Sequence, residues 1–104
     1  MTSDTRPDAS IAIFCLMRPQ PEKAEALRES MVALVAPTRE EPGCLTYDLY
    51  IEADGSLVLH EVWRSQAELA AHQQQPAIRA FFDDQLQDLI ASEMAVHFST
   101  PLPA

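Results

Sequence analysis

Apolar residues along this chain change their spacing repeatedly, and the changes divide it into elements. Ile11 to Met17 (IAIFCLM) is apolar on both alternating sets, Ile11/Ile13/Cys15/Met17 and Ala12/Phe14/Leu16, as in a strand covered on both faces. Pro19-Gln20-Pro21 ends it, and Pro21 suits a first helical turn, where a missing N–H costs nothing. From there Ala24, Leu27, Met31, Leu34 and Val35 recur at helical spacing, with Glu22, Glu25, Arg28 and Glu29 away from the stripe. Pro37 disfavours helical geometry just before it, so this helix is expected to end or kink near Ala36.

Cys44–Ile51 and Leu57–Trp63 read as strands joined by Glu52–Ser56, whose Asp54-Gly55 pair marks a hairpin. Leu45, Tyr47, Leu49 and Ile51 share one parity of the first. On the second, Leu57, Leu59, Glu61 and Trp63 share one face, and Val58, His60, Val62 and Arg64 the other. Ser65 with Glu68 three residues on has the pattern of a reciprocal helix cap, and Leu69 and His72 fall on one face of the short helix that follows. Pro76 begins a further helix, along which Ile78, Phe81, Phe82, Leu86, Leu89 and Ile90 form one stripe over about three and a half turns. Met94–Ser99 reads as a last strand.

The order strand, helix, strand, strand, helix pair, strand is that of a ferredoxin-like α+β fold: a four-stranded antiparallel sheet with helices on one face. Those helices cover one side only, yet the first strand is apolar on both. A second copy packed sheet against sheet is therefore expected, making a homodimer.

With 104 residues, the chain suits a single domain over residues 10–100, preceded by a flexible polar arm over 1–9. Sixteen acidic against seven basic side chains give a net charge of -9, which argues against nucleic acid or an anionic membrane surface as partner. No apolar run approaches a membrane span, and MTSDTRPDAS lacks the charged-then-apolar order of a secretory signal, so a cytoplasmic protein is expected. Cys15 and Cys44 stand apart, as small buried hydrophobes.

Metal-ligand spacings, phosphate loops and serine triads are absent from the sequence, and no cofactor is expected. The candidate chemistry lies near the hairpin and the helix after it. Glu61 is a carboxylate on the otherwise apolar row Leu57, Leu59, Trp63, so it needs either a partner, Arg39 or Arg79, or a wet cavity. Trp63 and His72 take a functional meaning if they converge with Glu61 on one cavity beneath the helices. Tyr47 and Tyr50 point to opposite faces, so at most one of them lines it.

The stretch PTREEPGCLTYDLY, then VLHEVWRS, then AELAAHQQQPAIRAFF resembles the antibiotic biosynthesis monooxygenase (ABM) family across residues 11–99. The resemblance rests on Glu41-Pro42-Gly43-Cys44, Tyr47, Glu61-Val62-Trp63, His72, Pro76 and Arg79-Ala80-Phe81, in that order. It implies a ferredoxin-like protomer in a dimeric α/β barrel. It also implies a cofactor-independent monooxygenase that oxidises a small phenol, quinol or polyketide-like aromatic with O2. On this reading His72 is the acid/base, and Trp63 walls the pocket and donates through its indole N–H. Glu61, Tyr47, Phe14, Leu59 and Phe81 then bind substrate. The haem-degrading branch of the family uses a strand asparagine, and this chain has no asparagine, so haem cleavage loses support. Two rival expectations are an isomerase using the histidine and glutamate as proton shuttles, and a non-catalytic dimeric ligand-binding module.

Overall fold

The computed structural model describes residues 9–103. The expected arm over 1–9 lies outside the described residues, apart from Ala9. Strands β1 (Ile11–Met17), β2 (Cys44–Ile51), β3 (Leu57–Trp63) and β4 (Ala95–Ser99) form one antiparallel sheet in the order β2-β3-β1-β4. Helices α1 (Ala24–Arg39), α2 (Gln66–Gln73) and α3 (Pro76–Ala80) pack on it, giving the ferredoxin-like α+β fold. The core lies between sheet and helices, where Met17, Leu57, Leu59 and Trp63 meet Leu27, Met31, Leu69 and Leu86.

The β2–β3 hairpin forms where Asp54-Gly55 places it. Gly55 takes φ +89°, a left-handed conformation that other residues adopt only with strain, and its N–H donates to Glu52 O at 2.9 Å. Asp54 Oδ1 accepts from the Ser56 N–H at 2.9 Å. At the other end of β2 a bulge between Cys44 and Thr46 shifts the register, which removes Leu45 from the row of Tyr47 and Leu49 and leaves it exposed. The expected common parity of Leu45 with Tyr47 is thereby corrected.

Two helix boundaries also differ from expectation, for identifiable reasons. Helix α1 runs through Pro37 to Arg39, because tertiary bonds hold its last turn: Arg39 Nε donates to Tyr47 O at 3.1 Å and its guanidinium pairs with Asp48 at 2.8 Å. Thr38 is buried there as well. The stripe over 78–90 is not a regular helix either. After α3 the chain widens into a π-turn over Phe81–Gln85 and tightens into a 3-10 turn over Leu86–Asp88. The wide turn absorbs one extra residue, so that Phe81 and Leu86, five apart, both reach the core with Ile78 and Ile90.

Among the described residues, no helix lies over the outer face of the sheet. The register aligns Asp48, His60, Phe14 and His97 across it, with the Phe14 and His60 rings stacked at 4.5 Å. Phe14 is 40% exposed, and Tyr50, on β2, is exposed as well.

Candidate active site

Between the inner face of the sheet and the α2–α3 segment lies a cleft of about 490 Å³, a volume that suits a small molecule. Ile13, Cys15 and Glu61 form its floor, because the β1–β3 register sets Ile13 directly opposite Glu61. Ile78 and Phe82 close the helical side, and Val96 and Phe98 line the side of the edge strand β4. Phe98 is 65% exposed, so the mouth lies along that edge. Arg79 and Asp83, a loose pair at 3.9 Å, stand at the rim.

Glu61 and His72 are the buried proton carriers on this cleft, at 7% and 3% exposure. Cys15 is not a third, since burial, with the Glu61 charge adding, pushes its thiol up to about 12. The sequence places His72 on the inner face of α2, whose first turn is fixed when Ser65 Oγ accepts from the Glu68 N–H at 3.2 Å. Its ring stacks on Trp63 at 4.7 Å, and the Tyr47 ring meets it edge-on at 5.9 Å. Its Nδ1 lies 2.9 Å from Glu41 Oε1.

Trp63 is fully buried, and its indole N–H donates to Glu61 Oε1 at 2.9 Å. Burial pushes the Glu61 carboxyl above its ordinary value. The indole hydrogen bond and the nearby His72 pull it back in part, while Glu41 adds to the rise. The anticipated ion pair of Glu61 with Arg39 or Arg79 is therefore absent: both arginines pair elsewhere, and an indole supplies the donor.

The predicted site residues separate into three groups. His72 and Glu61 reach the cleft together. Trp63, Tyr47 and Leu59 form the buried layer behind it, so Trp63 holds a cleft residue in place of donating to a ligand. Phe81 also faces the core, and the π-turn brings Phe82 to the cleft in its stead, the two rings edge-on at 5.1 Å. Phe14 is a correction: alternation along β1 turns Ile13 and Cys15 inward and Phe14 to the outer face. Unforeseen members are Ile13, Cys15, Val96 and Phe98, placed by strand register, and Glu41, visible only as part of the Glu41-Pro42-Gly43-Cys44 motif.

The Glu61 environment makes a pH prediction with a definite sign. A carboxyl whose folded pKa lies above its unfolded one stabilises the fold below the unfolded value, and that contribution is lost as pH rises through the folded value. Glu61→Gln keeps an oxygen for the indole N–H and removes the buried charge. Relative to the parent, the variant is expected to be more stable at pH 7 than at pH 4 by on the order of 1 kcal/mol, read by urea unfolding at both. An equal or opposite difference would show that the carboxylate is well solvated.

A ferredoxin-like domain with a small-molecule cleft carrying a buried glutamate and histidine is the class that fold and geometry define. The sequence profile of the antibiotic biosynthesis monooxygenase family matches residues 10–84, and the chain belongs to that family. It is similar to Putative monooxygenase Rv0793 of Mycobacterium tuberculosis, with 38% identity over 93 residues, 88% of this chain and 91% of that protein. The solved structure of Rv0793 superposes with a TM-score of 0.85 at 36% identity, covering 92% of this chain and 98% of the other. The crystal structure of PA3566 from Pseudomonas aeruginosa superposes with a TM-score of 0.83 at 28% identity, covering 94% and 99%. No helix among the described residues is long and apolar enough to cross a membrane.

Proposed function

We propose that the chain is a monooxygenase that oxidises a small phenolic, quinol or polyketide-like aromatic with O2, the substrate's own electrons reducing the oxygen. The observation that carries this reading is the pairing of His72 and Glu61 on one otherwise largely apolar cleft, in a chain of the monooxygenase family. An activated ring CH2 beside a phenol, or the hydroxyl of a quinol that has a free ring C–H, loses a proton to His72, and the resulting carbanion or ring carbon of the phenolate passes electrons to O2 and forms a C–O bond. Protonation gives a hydroperoxide, and loss of water leaves a carbonyl: CH2 plus O2 becomes C=O plus H2O. The apolar side chains Ile13, Ile78 and Phe82 leave little polar surface to hold water beside the carbanion.

The working unit is proposed to be a homodimer in which two copies cover each other's outer sheet face, burying Phe14 and Tyr50. The cytoplasm is its proposed compartment, which agrees with two free thiols. Oxygen-electrode assays with anthrone-type phenols and hydroquinones test the reaction. Protein-dependent O2 uptake matched by loss of aromatic substrate is expected, from a preparation that light scattering finds at twice the chain mass. A second reading, an isomerase, draws on the same two proton carriers facing one space; turnover that persists without oxygen would favour it.

A further inference from the structure

We infer that Glu41 is a positioning residue: it keeps the His72 proton on Nδ1, so that Nε2 offers its lone pair to the cleft. The inference rests on the proposed function for its kinetic meaning, and on geometry alone for its structural content.

Glu41 Oε1 lies 2.9 Å from His72 Nδ1, and a carboxylate only accepts, so the nitrogen facing it carries the hydrogen. The ring is 3% exposed and lines the cleft, and among the described residues its side-chain hydrogen bond is the one at Nδ1, which leaves Nε2 as the nitrogen open to a ligand. The opposite tautomer would set a lone pair against the carboxylate and an N–H toward the cleft, unable to accept a proton from a substrate there.

Glu41 is held independently of any ligand. Its N–H donates to Thr38 O at 3.0 Å, and its own carbonyl accepts from the Cys44 N–H at 3.2 Å. The Arg64 N–H donates to Gly43 O at 2.8 Å, joining the turn to the start of α2. Gly43 takes φ +84°, and a Cβ there would come within 2.4 Å of the Glu68 side chain, which itself pairs with Arg64. Only glycine lets the turn approach α2 this closely, and that approach is what brings Glu41 to His72 across 31 residues of sequence. The Glu41-Pro42-Gly43 turn thus has a function: it delivers a carboxylate to the back of the base. When Nε2 takes a proton the ring becomes cationic, and Glu41 offsets that charge at Nδ1–H. Its contribution therefore grows toward the transition state and falls on kcat more than on KM.

The test uses the full chain labelled with 15N-histidine, with the His72 ring nitrogens assigned by comparison with His72→Gln. At a pH where imidazole is neutral, the parent is expected to show Nδ1 protonated and Nε2 bare. Glu41→Leu removes the acceptor and is expected to shift His72 toward the Nε2–H form and lower kcat about 100-fold, with little change in KM. Glu41→Gln retains an accepting oxygen and is expected to recover part of both. A parent with the proton on Nε2, or a leucine variant with the parent's tautomer, overturns the inference. The nitrogen spectra decide it even if no aromatic is oxidised, so failure of the proposed reaction is read separately.

Discussion

His72→Ala is expected to lower kcat for oxygen-dependent turnover by about 10²- to 10⁴-fold, the range general-base catalysis supplies. KM should move little, since the buried ring gives a ligand one edge and the cleft's apolar walls give the rest of the surface. Added imidazole is expected to restore part of the rate to the alanine variant, because the deletion leaves a space beside Trp63 that the free base can occupy. His72→Gln fills that space and should be both slow and refractory to rescue. Steady-state kinetics on the best substrate of the oxygen panel measure both. A variant that keeps more than about a tenth of kcat would transfer the role of base to Glu61, the other buried proton carrier on the cleft.

Much of this arrangement is legible in the sequence because it depends on periodicity and local chemistry. Alternation on β3 sets Glu61 and Trp63 on one face, and helical spacing sets His72 with Leu69; both relations hold in the structure. Asp54-Gly55 marks its own hairpin. What escapes the sequence is set across elements. Which β1 residue faces Glu61 depends on strand register, so Ile13 and Cys15 line the cleft where Phe14 had been expected. The π-turn that exchanges Phe81 for Phe82 has no local signature and exists because Leu86 must reach the core. Charge complementarity alone points Glu61 toward an arginine. The indole two residues along the same strand face was already the nearer donor.

That indole supports the second large effect. Trp63→Ala is expected to cost about 3–5 kcal/mol, as for a fully buried large aromatic, and to lower Tm by roughly 12–40 °C for a domain of this size. The more instructive variant is Trp63→Phe, which keeps a ring beneath His72 and deletes the N–H that stabilises the Glu61 carboxylate, together with the volume of the second indole ring, a packing loss that does not depend on pH. Without that donor the carboxyl rises further, so the variant loses about 1–3 kcal/mol at neutral pH. The loss should shrink below pH 4, where the carboxyl is protonated in folded and unfolded chains alike. In the background of Glu61→Gln the same substitution removes a hydrogen bond to a neutral amide instead of a buried anion, and its cost should be smaller and nearly independent of pH. A double-mutant cycle by urea unfolding at pH 4 and pH 7 isolates the coupling. Coupling that is equal at both values would mean that Glu61 stays neutral across the range. Glu61 would then face the cleft as a hydrogen-bond donor, leaving His72 to take the proton alone.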